Sequence, residues 1–160
     1  MIEYLQNTEL LESGILLEKN NIRNVSYAYS LSSAHISKAL HNLKFSQKIG
    51  YEFIDWKIVG LYYSVYHSAL ALLANKGYIT KSHTATFLML IKLFHISLED
   101  VKIIDDLRIS KEDAEFYVTL REERNKANYS TNILYDREKF LRLREGTIIF
   151  VNKAMALTGR

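Results

Sequence analysis

The chain has 160 residues, nearly half of them apolar and 12% aromatic, with a net charge of +3. That is the composition of one globular domain with a real core, and it argues against disorder. It contains no cysteine, which excludes disulfides, thiolate metal sites and thiol nucleophiles, and no proline, so no helix carries an imposed kink.

Met1 to Leu17 carries Glu3, Glu9 and Glu12 and no basic start, unlike a signal peptide. Apolar periodicity predicts a first helix over Ile2 to Lys19, closed at Asn20-Asn21 because asparagine tolerates the left-handed conformation. A second helix is expected from an Asn24 cap to Gln47, burying Val25, Ala28, Leu31, Ile36, Ala39, Leu40 and Leu43. Between Glu18 and Glu52 no acidic residue occurs, and His41, Lys44 and Lys48 share a helix face with Lys38 at its edge. Such a face is usually only solvated, but it could also track a phosphate backbone.

Lys48-Ile49-Gly50 reads as a turn, followed by a third helix over Glu52 to Asn75 whose apolar residues run almost all the way round. That pattern predicts a helix surrounded by others. Gly60, Ser64 and Ser68 recur every four residues and form a smooth ridge for a close neighbour. The apolar stretch Ile58 to Ala74 is too short and too polar for a membrane span, so a soluble, cytoplasmic protein is expected. Asn75-Lys76-Gly77 stops the helix. A shorter helix is expected from Ser82 to Phe94, then an irregular piece from Ile96 to Ile109. Ser110 and Asp113 resemble a capping box for a fifth helix ending near Asn128, Ser130 to Asn132 is a loop, and a last helix runs from Asp136 to Leu157 with a tolerated Gly146. No run shows a convincing strand period. The fold class is therefore all-α, an antiparallel up-and-down bundle of five to six helices forming one domain.

Helical bundles often hold metals, but no Glu-x-x-His occurs and the five histidines show no i, i+4 pair. No metal site or cofactor is expected. Glycine-rich phosphate loops and a nucleophile elbow are also missing. His67 lies inside the apolar third helix and reads as a hydrogen-bonded core histidine. His83 lies near a helix start, where the dipole favours the neutral ring. The chemically densest segment is Leu120 to Tyr129. There Tyr117, Arg121, Arg124 and Asn128 share a helix face, with Asn125 beside them. Arginine is suited to phosphate because its planar fork donates paired hydrogen bonds and keeps its charge, although pairing with Glu122, Glu123 or a neighbouring helix is the plainer use of these arginines.

Arg124-Asn125-Lys126-Ala127-Asn128-Tyr129 resembles the signature of the HEPN superfamily (higher eukaryotes and prokaryotes nucleotide-binding): Arg, a polar residue, three variable positions, then His. Tyrosine stands where the histidine belongs. A branch of small prokaryotic members with Arg-x-x-Ala-Asp-Tyr is more similar. It shares Tyr62-Tyr63, His67, Ala69 and Leu72-Leu73, followed by Lys81-Ser82-His83. The resemblance implies a homodimer with the arginine motifs in a shared cleft and RNA or a nucleotide as ligand. It also implies a small nucleotidyltransferase antitoxin as partner in a toxin–antitoxin or defence module. Carried over, Arg124 would neutralise a scissile phosphate and Asn125 would orient it. Arg121 and Asn128, with Lys44 and Lys48 on the second helix, would add to the binding surface.

Tyr129 is a poor base near neutral pH, because an unperturbed phenol has a pKa of ~10. Metal-independent endoribonuclease activity is therefore expected to be weak or absent, unless His67 or His83 reaches the cleft as an auxiliary group. Tyr129 is alternatively an acceptor of nucleotidyl groups. The competing expectation is a non-catalytic interaction protein that dimerises and binds a nucleotidyltransferase.

Overall fold

The computed structural model describes residues 7–25, 28–94, 111–129 and 135–159. The expectations for Ile2 to Gln6, Ile96 to Ser110 and Ser130 to Asn132 lie outside the described residues. Among those described, the molecule is an all-α helical bundle: α1 (Thr8–Leu17), α2 (Tyr29–Lys48), α3 (Ile54–Asn75), α4 (His83–Phe94), α5 (Lys111–Tyr129) and α6 (Arg137–Leu157). No helix among the described residues is long and apolar enough to cross a membrane.

α3 is the central helix, as its all-round apolar pattern predicts. Ile58, Leu61, Tyr62, Val65, Ala69 and Leu73 are fully buried, and α2, α4, α5 and α6 all pack against it. The most extensive contact is with α2, along the small-residue ridge. A Cβ on Gly60 would stand 2.9 Å from Ser46 Cβ and 3.3 Å from the Asn42 carbonyl oxygen. Farther along, Ser64 Oγ donates to the Ala39 carbonyl at 2.9 Å, and Ser32 Oγ donates across to the Ala71 carbonyl at 3.0 Å. Small side chains let the backbones approach, and their hydroxyls find acceptors that a wider helix spacing would put out of reach.

Several boundaries differ from the sequence expectation, each for a local reason. α1 starts at Thr8 because the Asn7 side chain accepts from Leu10 N, and it closes at Glu18 with φ −90°, not on a left-handed asparagine. Lys19–Asn21 is a 3-10 turn leading into β1 (Ile22–Asn24), which pairs antiparallel with β2 (Tyr78–Thr80). This two-stranded sheet was not expected: three-residue strands show no period, and their pairing joins segments far apart in sequence. Asn24 belongs to β1, so α2 begins only at Tyr29, after Ala28 with no side-chain cap. Leu40 is exposed, and Ser32 and Ser46 take the buried positions on α2. Gly77 has φ 81°, and its carbonyl accepts from Val25 N at 2.8 Å, so the helix stop also extends the small sheet. Gly146 does more than interrupt α6: a Cβ there would lie 2.7 Å from the Phe116 ring of α5.

One buried charge is absent from the sequence reading. Lys57 is almost wholly enclosed, with Nζ donating to the Ile49 carbonyl at 2.6 Å. The same ammonium sits 4.6 Å and 4.7 Å from the ring centres of Tyr51 and Phe140. Burial lowers its pKa, and Arg144 lowers it further.

Candidate phosphate site between α3, α4 and α5

Three helices place side chains around the Tyr62 ring. From α5, the Arg124 guanidinium lies over the ring at 4.8 Å. From the start of α4, His83 Nδ1 is 2.5 Å from the Tyr62 hydroxyl. From α3 itself, Tyr66 stacks on Tyr62 at 6.0 Å and meets the His83 ring at 4.3 Å. Tyr117 of α5, fully buried, lies 6.3 Å from Tyr62 and stacks on Phe87 of α4. Spacing of four residues on α3 puts Tyr62 and Tyr66 on one face. Spacings of four and three on α5 do the same for Tyr117, Arg121 and Arg124.

The position of His83 is set by capping. Ser82 Oγ accepts from Ala85 N at 2.9 Å and donates to Glu18 Oε2 at 2.7 Å. Glu18 also accepts from Asn21 Nδ2 at 2.8 Å, tying the α4 start to the end of α1. Behind it, Thr80 and Thr86 share a hydrogen bond of 2.7 Å. The unexpected sheet thus delivers the chain to the α4 cap and orients the histidine.

Electrostatics in this cluster run one way. Burial lowers the His83 pKa to about 4, with Arg124 and Arg121 adding to the shift, so the ring is neutral near pH 7. The sequence expectation of a neutral His83 holds, but its causes are desolvation and the two arginines. Burial pushes the Tyr62 phenol up, partly offset by Arg124 and Tyr117, and pushes Tyr117 well above its usual value. Among the described residues Arg124 makes no salt bridge, and its buried Nε has no hydrogen-bond partner.

Glu123, a candidate partner for the arginines in the sequence reading, is engaged elsewhere. Its carboxylate pairs with Lys126 at 2.9 Å and Lys139 at 2.8 Å. Burial alone would raise its pKa, but those two lysines hold it below the usual carboxylate range. Tyr135 clamps the same turn by donating to the Glu123 carbonyl at 2.6 Å.

The remaining candidates divide. His67 stays away from the arginines. It is half-buried and its Nδ1 lies 3.1 Å from His35 Nδ1, with the two rings stacked. Burial, His35 and Lys38 lower its pKa to about 4. Lys44 and Lys48 are exposed on α2, which packs on α3 and, less extensively, α6. Asn125 is exposed. Asn128 and Tyr129 line an open cleft of about 450 Å³ with Asp55, Trp56, Val59 and Ala127. Tyr129 is 79% exposed and Trp56 57%.

Sequence reasoning singled out the arginines and His83 but did not join them through Tyr62, and it missed Asp55 and Trp56. A lone tryptophan near a helix start was the available signal for the cleft. Among the described residues no three His, Asp or Glu side chains gather in a way that could hold a metal ion.

Chemically, the cluster offers a cationic donor set beside a neutral imidazole. Arg124 lies over the Tyr62 ring, and the Tyr62 hydroxyl can donate a hydrogen bond to His83 Nδ1, which places the imidazole's own N–H on Nε2. A bound phosphate would supply an anion to Arg124, which makes no salt bridge among the described residues. It would also oppose the arginines' effect on His83 and raise its pKa toward neutrality. Comparison of the chain with family models and with curated proteins returns no match.

Proposed function

We propose that the protein binds RNA or a nucleotide through the phosphate, with Arg124 as the principal contact and Arg121 beside it on α5. The carrying observation is Arg124 itself. It is held over Tyr62, has a spare Nε donor, and makes no salt bridge among the described residues. An arginine serving the fold alone is normally paired with a carboxylate, because a partly desolvated guanidinium without an anion is costly. The resemblance of Arg124 to Tyr129 to the HEPN motif supports the same reading. On that resemblance the protein is the toxin-like component of a toxin–antitoxin or defence module, acting as a homodimer with a small nucleotidyltransferase partner.

Ribonuclease activity on this reading is weak or absent. His83 is the proton-relay candidate, and its low pKa makes the free protein's imidazole a feeble base. Asn125 and Tyr129 would contribute to binding from the exposed end of the helix.

The test is RNA binding by the purified protein in EDTA. Arg124→Ala is expected to weaken it by about 1.5–3 kcal/mol, the worth of a charge-assisted contact, or roughly 10- to 100-fold in Kd. Undiminished binding by the variant would overturn the phosphate role and favour a non-catalytic interaction protein. RNA cleavage in EDTA that is lost in both Arg124→Ala and His83→Ala would raise the activity from weak to genuine.

A further inference from the structure

The cleft at the end of α5 has no part in the phosphate cluster, and its walls have a chemistry of their own. Two of its large aromatic side chains, Trp56 and Tyr129, are mostly in water. Single exposed aromatics are ordinary, but these two lie together on one cleft. They supply the flat surface on which unstacked bases settle. The polar lining includes Asn128 and Asp55. Asp55 Oδ1 is buried with no hydrogen-bond partner, an acceptor lacking its donor. At about 450 Å³ the cleft has room for a base with its ribose.

We propose that this cleft is a nucleobase site selective for guanine. The inference deepens the RNA-binding reading and rests on it for the position of the phosphate. Four residues of helix separate Arg124 from Asn128, a rise of ~6 Å, about the reach from a nucleotide's phosphate to its own base. On this proposal a phosphate on Arg124 sets its base into the cleft that Trp56 and Tyr129 line. Selectivity follows from the carboxylate of Asp55, acceptor-only when ionised, which takes two parallel hydrogen bonds once its buried Oδ1 turns toward the cleft. Only guanine presents two adjacent donors, N1–H and the exocyclic amine, on its Watson–Crick edge. Adenine and cytosine would set a ring nitrogen lone pair against the carboxylate beside their single amine. Uracil would set a carbonyl there on either side of its one N–H. Asn128, with both donors and an acceptor, is placed to meet the guanine carbonyl.

Trp56 is the only tryptophan in the chain, so its fluorescence reports the cleft alone. The test titrates GMP, AMP, CMP and UMP, and guanosine without phosphate, against wild type, Asp55→Asn, Tyr129→Ala and Arg124→Ala in EDTA. GMP is expected to quench Trp56 at concentrations roughly tenfold below the other three. Asp55→Asn should abolish that preference. Arg124→Ala should weaken all four nucleotides by one common factor and keep their order. Tyr129→Ala changes a side chain that is almost fully exposed, so it tests stacking without disturbing the core, and it should weaken GMP and guanosine alike.

Equal quenching by all four nucleotides, or none while Arg124-dependent RNA binding persists, overturns the guanine site and leaves the phosphate reading standing. Asp55-dependent quenching by guanosine, with GMP binding unchanged in Arg124→Ala, does the reverse.

Discussion

Two half-buried histidines make the clearest residue-scale statement. His67 and His83 both have pKa values lowered to about 4 from 6.5, first by burial and then by nearby cations or, for His67, its partner ring. Between those values the unfolded chain binds protons that the folded chain refuses, so stability climbs with pH through that window. The stabilisation is fully present above pH 6.5 and is lost as pH falls toward 4. Each ring should account for about 1 kcal/mol between pH 7 and 5, after discounting for its solvent-exposed half. Urea midpoints measured across that range, above where carboxylates titrate, should slope upward with pH. His67→Asn should flatten the slope, and an identical slope in the variant would show that the His35–His67 contact does not govern protonation.

At the scale of elements, the α2–α3 contact depends on Gly60 having no side chain. Gly60→Val would drive a branched group into Ser46 and the Asn42 carbonyl, where even a bare Cβ is too close. Overpacking of this kind costs about 1–3 kcal/mol, more than the helix propensity gained by losing glycine. A lowered denaturation midpoint is the expected result, and an unchanged one would mean that α2 can shift without loss. The Gly60-Ser64-Ser68 repeat was legible in the sequence because its meaning is local: every fourth residue is small on a helix otherwise rich in large apolar groups. The α1–β1–α2 region was not legible. Asn24 has the chemistry of a cap, but β2 pairs with its backbone and draws it into a strand. That competition depends on a segment more than fifty residues away.

The molecule as a whole is arranged around α3, and its parts are unevenly held. α5 rests chiefly on α3, with lesser contacts to α4 and α6. It is latched by the Arg124–Tyr62–Tyr117 group and by Glu123 reaching Lys139. Native-state hydrogen exchange should therefore find the α2 and α3 amides protected to the global limit. Amides from Arg124 to Tyr129 should exchange at least tenfold faster, as expected for an end with exposed side chains and few buried contacts. Equal protection of the two regions would show that α5 unfolds only with the whole bundle. Local opening there would let the segment adjust around a ligand before the core is disturbed.

By itself the sequence determined the all-helical class, the central position of α3, the stop at Gly77 and the alignment of Arg121 and Arg124 on one helix face. These follow from periodicities within a few turns of a single helix, where side-chain direction is set by the backbone. Only the tertiary structure decided what the arginines face. It turned Glu123 toward Lys126 and Lys139, set Arg124 over Tyr62, and brought His83 from the start of α4 to the same ring. It kept His67 apart, paired with His35. Contacts between helices depend on the packing angles and offsets of the whole core, to which no short stretch of sequence has access.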